Sequence, residues 1–192
     1  MKKILIILAF FCSQTLKSQT KSICSGESIP NGWVKVSQSS SNGGCKYNVP
    51  YINIQRVDNL PVGSTVDICN NGYIPNGWLK ISEQNCNGCC GYSVSQITIK
   101  RIDNLPSGTQ LTVCSGQTAP VGWIKVVLQN CNGCCGYNIP QMVIKRIDKA
   151  PKGSIEKICS GERIPNGWAK IAESVCNGCC GYNVPQLTIK KL

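Results

Sequence analysis

Cysteines at fixed spacing are the residues of this sequence with the most evident chemistry. There are 15 cysteines among 192 residues, and three segments follow the pattern Cys-x-x-Cys-Cys, as at Cys86, Cys89 and Cys90. A Cys-x-x-Cys pair can be a redox-active dithiol, half of a zinc site with four thiolates, or a structural disulfide. How the cysteines recur along the chain decides among these uses.

The cysteines belong to a unit that recurs every 45 residues without gaps. The first cysteine of each unit stands at Cys24, Cys69, Cys114 and Cys159. The same step relates a tryptophan, a lysine and a tyrosine within the unit, so the sequence predicts tandem repeats. We place the four repeats at residues 20–58, 59–103, 104–148 and 149–192.

Repeat 1 lacks two of the four cysteines that each other repeat contains. A shift of 45 residues places Cys45 on Cys90, and it places Ser41 and Gly44 on Cys86 and Cys89. Cysteines that are missing together are expected to be bonded to each other where they occur. The predicted disulfides are Cys24–Cys45, Cys69–Cys90, Cys86–Cys89, Cys114–Cys135, Cys131–Cys134, Cys159–Cys180 and Cys176–Cys179. Bonds between repeats would use the same number of cysteines and stay open as an alternative.

Structural disulfides are favoured over redox catalysis and over zinc. No helix is predicted beside the Cys-x-x-Cys pairs to lower a thiol pKa. Repeat 1 lacks half of the zinc ligands, and the sequence contains no histidine. We therefore predict no metal and no cofactor. A unit of this size commonly needs a covalent staple, and closing the larger loop stabilises it by about 3 kcal/mol in the chain-entropy model.

The sequence offers little for acid–base catalysis. Histidine is absent, and the acid that recurs is Asp58, Asp103 and Asp148, in a turn-rich joint between repeats. An aspartate in a turn commonly caps its own backbone. Neither a P-loop nor a nucleophile elbow is present. We predict that the protein is not an enzyme.

A tryptophan and a lysine recur in each unit as Gly-Trp-x-Lys. On a strand, Trp78 and Lys80 would face one side and Leu79 the other. If the Leu79 side faces the core, each repeat displays an aromatic ring and a cation, which suits sugar rings or anionic polymers. The candidate ligand-binding residues are Trp33, Lys35, Trp78, Lys80, Trp123, Lys125, Trp168 and Lys170. The alternative is that each tryptophan is a core residue, with the lysine extending to water.

The same two alternatives apply to the tyrosine that follows the last cysteine of each unit: it either packs in the core or is displayed to solvent. These tyrosines are Tyr47, Tyr92, Tyr137 and Tyr182.

Short strands and tight turns must position these residues. In repeat 2 the strand candidates are residues 66–69, 78–82 and 92–102, with apolar and polar side chains alternating over 96–100. No helical period is visible. The predicted fold class is all-β, with four disulfide-stapled β repeats stacked as a rod or curved array. The joint 103–109 is expected to fold as a hairpin that pairs the last strand of one repeat with the first strand of the next.

The first residues have the layout of a secretory signal peptide. Lys2 and Lys3 precede an apolar run over residues 4–11, which is too short to span a bilayer. We predict a signal peptide over residues 1–19, no transmembrane span, and a secreted or cell-surface location. A lipid anchor on Cys12 is the less favoured alternative. The whole chain has a formal net charge of +11, which favours anionic partners.

These observations predict a basic, cysteine-rich binding or adhesion protein that recognises an extracellular or cell-surface polymer. Carbohydrate is the favoured polymer, with an anionic one suggested by the charge, and nucleic acid ranks below it because an exported protein rarely meets it. The alternative is a small secreted effector, either an antimicrobial or insecticidal toxin or a protease inhibitor, that uses the loop of repeat 1 at residues 39–42. Oligomeric state is not predicted.

Overall fold

The computed structural model describes residues 19–39, 45–46 and 49–192, so most of the predicted signal peptide, Cys12 included, lies outside the described part of the chain. In the described residues the chain forms twelve strands. They are β1 (Thr20–Cys24), β2 (Trp33–Gln38), β3 (Tyr51–Arg56), β4 (Thr65–Cys69), β5 (Trp78–Gln84), β6 (Gln96–Arg101), β7 (Gln110–Cys114), β8 (Trp123–Gln129), β9 (Gln141–Arg146), β10 (Ile155–Cys159), β11 (Trp168–Ser174) and β12 (Gln186–Lys191). None of the described residues belongs to a helix long and apolar enough to cross a membrane.

Each repeat is one antiparallel sheet of three strands, with its third strand in the centre. The strand orders are β1-β3-β2, β4-β6-β5, β7-β9-β8 and β10-β12-β11. In repeat 2, Cys69 lies opposite Gln96 and Trp78 lies opposite Arg101. Ile97 and Ile99 on the central strand are fully buried, as alternation predicts. The predicted all-β class with four repeats is confirmed.

The expected hairpin between repeats is not formed. β6 pairs with β4 on one edge and with β5 on the other, so it has no free edge for β7. β6 is also shorter than the predicted strand over 92–102, because Ser93 has a left-handed φ of 57° that cannot continue a strand. The prediction was wrong because it assumed that neighbours in sequence would pair.

Among the described residues seven disulfides staple the repeats, and all lie within a repeat. The structure bonds the first cysteine of each unit to the last, as in Cys69–Cys90, and bonds the two cysteines of each Cys-x-x-Cys, as in Cys86–Cys89. These are the same seven pairs that the comparison of copies gives. So many disulfides indicate an oxidising, non-cytosolic compartment.

Successive repeats share their hydrophobic cores. Trp78, Ile97 and Ile99 of repeat 2 pack with Val34 and Val57, which belong to repeat 1. The clusters at the next two junctions are built in the same way. The edge strand β2 lies against β4, and corresponding strands meet at the other junctions. The repeats therefore form a continuous array in which each unit completes its neighbour's core.

Candidate ligand-binding surface

The tryptophans predicted to bind ligand lie in the core. Trp78, Trp123 and Trp168 are only 6%, 7% and 7% exposed. Trp78 packs in the cluster between repeats 1 and 2, while its neighbour Leu79 enters the cluster between repeats 2 and 3. Because repeats cover both faces of this strand, neither side displays a row of rings. The prediction of displayed tryptophans is wrong for these three residues.

Trp33 of repeat 1 differs from the other three tryptophans because it is only half-buried. It lines a small cavity of about 230 Å³ together with Tyr73. The Nζ atom of Lys21 lies 4.9 Å from the centre of its ring, a cation–π contact. One half-buried ring does not make the repeated platform that the sequence predicted.

The lysines of the same motif are occupied by contacts within the array. Lys80 Nζ lies 2.5 Å from Glu83 Oε2, and Lys125 Nζ lies 3.0 Å from Glu162 Oε1 in the following repeat. Lys170 forms an ion pair with Glu173. Lys35 donates to Gln38 Oε1 at 2.7 Å, and burial lowers the pKa of Lys35. Three of these lysines are thus ion-paired and Lys35 is buried, so they do not form the predicted row of displayed cations.

The repeated aspartate and arginine form structural pairs at the joints. Arg101 Nε donates to Asp103 at 2.8 Å, and its guanidinium donates to the carbonyl of Asp58 in the preceding joint at 2.9 Å. The hydrogen bond from Arg101 holds the pKa of Asp103 below its ordinary value. Equivalent pairs occur in the neighbouring repeats. The recurring aspartate thus pairs with the arginine two residues before it at each joint, a role beyond the predicted capping of its own backbone.

The aromatic side chains that do face solvent in every described copy are the tyrosines after the last cysteine. Tyr92, Tyr137 and Tyr182 are 98%, 91% and 91% exposed; we call these three residues the tyrosine row. Tyr47, their counterpart in repeat 1, lies outside the described residues. Of the two alternatives for this tyrosine, packing and display, the structure therefore shows display in repeats 2, 3 and 4.

A tight turn presents each tyrosine of the row. The residue after the ring takes a left-handed conformation, with φ of 57°, 57° and 55° at Ser93, Asn138 and Asn183. Asparagine and glycine tolerate this region, whereas β-branched residues do not. The glycine before each ring also has a positive φ, of 96° at Gly91, 96° at Gly136 and 107° at Gly181, which favours glycine there.

The turn is anchored to the core. Cys90, two residues before Tyr92, is fully buried and bonded to Cys69 at the end of β4. The central strand β6 begins at Gln96, four residues after the ring. The ring thus projects from a short segment that is fixed at both ends, which lowers the entropy cost of presenting it to a ligand.

The Cys-x-x-Cys disulfides lie at the junctions between repeats. The carbonyl of Cys89 accepts a hydrogen bond from the backbone N–H of Gln38 in repeat 1, at 2.8 Å. The carbonyls of Cys134 and Cys179 accept equivalent bonds from Glu83 and Leu128. Repeat 1 lacks the pair, and the structure shows these contacts for repeats 2, 3 and 4. The staple therefore holds the loop that each repeat places against its predecessor.

Removing one of these staples is expected to loosen its junction selectively. Cys131→Ser with Cys134→Gly gives repeat 3 the residues that repeat 1 has at these positions, and should lower the free energy of unfolding by about 2 kcal/mol in the chain-entropy model. Amide hydrogen exchange should also quicken at Glu83, whose N–H donates to Cys134, but not at Trp78 in the same strand. Equal quickening at both amides would mean that the staple supports the repeat as a whole.

A groove of about 1010 Å³ lies beside the first tyrosine of the row. Its lining includes Gln38 and Ser39 of repeat 1 and Asn85, Asn87 and Tyr92 of repeat 2. Amide and hydroxyl groups next to an aromatic ring are the groups that bind sugars, whose ring faces are apolar and whose hydroxyls both donate and accept hydrogen bonds. Of the repeat 1 loop at residues 39–42, only Ser39 lies within the described part of the chain.

The described residues contain no cluster of three or more histidine, cysteine, aspartate or glutamate side chains arranged to hold a metal ion. Fold and surface together define a disulfide-stapled, all-β tandem-repeat protein with an exposed tyrosine at the same position of repeats 2, 3 and 4. Comparison of the chain with protein-family models, with curated proteins and with solved structures gives no match.

Proposed function

We propose that this protein is a secreted or cell-surface binding protein that attaches to an extracellular carbohydrate polymer through the tyrosine row. The observation that carries the proposal is the almost complete exposure of Tyr92, Tyr137 and Tyr182 at the same position of successive repeats. The tryptophans and lysines of the sequence-based hypothesis have no direct part in it.

The stability of the fold gives no reason for these three tyrosine rings to be exposed. Burying a large aromatic or aliphatic side chain stabilises a protein by roughly 1.5–3 kcal/mol, and a ring in full contact with water contributes none of this. A displayed tyrosine has an apolar face and a hydroxyl, so it can stack on a sugar ring and hydrogen-bond its edge. Three such rings on anchored turns support a binding role.

Repetition supports a polymer as the ligand. Weak sites that are held on one scaffold act together when a repeating ligand can reach several of them, so avidity exceeds the affinity of any one site. The shared cores fix each repeat relative to the next, which keeps the three rings at set positions.

The pairing of the cations at the repeated positions supports a neutral polymer over an anionic one. The repeated lysines and arginines largely face carboxylates of the same array, as in the pairs Lys80–Glu83 and Arg101–Asp103. Cations held in this way offer little to a polyanion beyond long-range attraction, which salt screens. The sequence-based preference for an anionic partner is therefore replaced by one for neutral glycans.

Replacing the tyrosine row tests the proposal. The purified protein is expected to bind at least one of chitin, cellulose and starch. Tyr137→Ala should weaken that binding roughly tenfold, equivalent to about 1.4 kcal/mol, and the triple variant at Tyr92, Tyr137 and Tyr182 should abolish it. Both are measured by depletion of protein from solution onto the insoluble polymer.

Tyr73→Ala is the matched control, because Tyr73 is an exposed tyrosine outside the row; it should bind as the wild type does. Unfolding of the row variants should stay within about 0.5 kcal/mol of the wild type, as for other surface changes. Binding to none of the three polymers, or unchanged binding by the triple variant, would overturn the proposal.

A further inference from the structure

Repeat 2 departs from the other repeats at two positions beside the groove. It has Asn70 where the others have Ser25, Ser115 and Ser160. It has Ser95 where the others have Pro50, Pro140 and Pro185. Asn70 follows β4 directly and Ser95 precedes β6, so the two positions are 25 residues apart in sequence.

The two residues that differ in repeat 2, Asn70 and Ser95, both contact the carboxylate of Glu83. Ser95 Oγ donates to Glu83 Oε1 at 2.5 Å, and Asn70 Nδ2 donates to the same oxygen at 3.0 Å. Asn70 Nδ2 also lies 3.0 Å from Ser95 Oγ. We call Asn70, Glu83 and Ser95 the polar cluster. Residues that change together and contact one another form one unit, which repeat 3 lacks, since it has Leu128 at the position of Glu83.

The Glu83 carboxylate of the cluster is ionised, and its charge is neutralised by Lys80. Burial works to raise the pKa of Glu83, but the hydrogen bonds from Lys80 and Ser95 outweigh burial and leave that pKa below its ordinary value. Lys80 Nζ lies 2.5 Å from Glu83 Oε2, so the pair has no net charge. An anionic ligand would meet a carboxylate whose cation is already engaged, whereas a neutral hydroxyl can donate to it.

The cluster is not needed to hold the two strand ends together. The backbone N–H of Asn70 donates to the carbonyl of Ser95 at 3.0 Å, and the same bond is made at 2.9 Å in each other repeat, where a serine donates to a proline carbonyl. Three repeats therefore close this corner without the cluster. Its side chains are available for another role.

Glu83 and Ser95 line the groove of about 1010 Å³ that also contains Tyr92. We propose that the polar cluster and Tyr92 make this groove the primary subsite for a neutral sugar unit, with the ring stacking on the sugar and Glu83 and Ser95 hydrogen-bonding its hydroxyls, while Asn70 holds the Glu83 carboxylate in place. The inference rests on the proposed function and adds to it one specific site among three rings. Repeats 3 and 4 then contribute avidity, while repeat 2 selects the ligand.

The test is to give repeat 2 the residues of the other repeats, with Asn70→Ser and Ser95→Pro. Because three repeats have this pair, the variant is expected to fold as the wild type does. We would titrate short soluble oligosaccharides of chitin, cellulose and starch by calorimetry, since short ligands cannot bridge repeats. The variant should lose at least tenfold in affinity for the oligosaccharide that the wild type binds, yet still be retained by the insoluble polymer.

Ser95→Ala removes only the hydroxyl and should weaken oligosaccharide binding in the same direction, which keeps the test valid if the proline disturbs the corner. Unchanged oligosaccharide affinity in both variants would overturn this inference and leave the proposed function standing. A wild-type protein that binds the polymer but no oligosaccharide would also overturn it. Binding to neither polymer nor oligosaccharide would overturn both.

Discussion

Replacing Trp123 with alanine is expected to lower the free energy of unfolding by about 3–5 kcal/mol, the usual cost of removing a buried tryptophan. The ring is almost fully buried among Val113 and Ile144 of its own repeat and Leu79 of the preceding one. Its loss leaves a cavity in a core that two repeats share, so both should be destabilised. The measurement is chemical denaturation followed by circular dichroism.

Trp33→Ala is the matched comparison for this variant. Trp33 is only half-buried, so its replacement should lower the free energy of unfolding by less than the replacement of Trp123 does. The opposite result would be a Trp123 variant that keeps its stability and loses polymer binding. That outcome would restore the hypothesis that the tryptophans bind ligand.

Removing the long-range disulfide of repeat 3 is the second change with a large expected effect. Cys114→Ala with Cys135→Ala opens a link between residues 21 apart, and should lower the free energy of unfolding by about 3 kcal/mol in the chain-entropy model. Both sulfurs are buried, so packing losses add to this figure. Thermal unfolding of the oxidised protein measures the effect.

Loss of the short Cys131–Cys134 link serves as the control, because it closes a loop with a sequence separation of only 3 residues. The account predicts the larger loss for the Cys114–Cys135 variant. A larger loss from the short link would show that the junctions, and not the individual repeats, limit the stability of the array.

The fold class could be predicted from the sequence because the repeats differ in an informative way. Ser41 and Gly44 replace two cysteines in repeat 1, and that joint loss favours the observed disulfide pairs, although bonds between repeats stayed open until the structure placed all pairs within a repeat. The order of strands within a repeat could not be predicted in the same way. Proximity in sequence favours pairing across the joint, whereas the observed order places β6 between β4 and β5.

The sequence left open whether the tryptophans are buried or displayed, for a physical reason. Alternation along a strand predicts which residues share a face, but it does not say how many faces are covered. Trp78 and Leu79 lie on opposite faces, and stacking buries both. A large aliphatic residue directly after the tryptophan, as at Val34, Leu79 and Ile124, was the available signal.

The candidate site was only partly visible in the sequence. The sequence left packing and display open for Tyr92, and only the structure shows that the ring is exposed. Asn70 and Ser95 could be seen as departures from the repeat pattern. That they meet at Glu83 depends on the strand order, which the sequence did not reveal.

The most direct test of carbohydrate binding by the tyrosine row is a titration of the full protein, labelled with ¹⁵N, with soluble fragments of the neutral polymer that retains it. The account predicts amide shift changes clustered at Tyr92, Tyr137 and Tyr182 and at the residues that follow them, with the largest changes in repeat 2. Changes confined to the neighbourhood of Trp33, or spread over the lysines and arginines and abolished by salt, would contradict it.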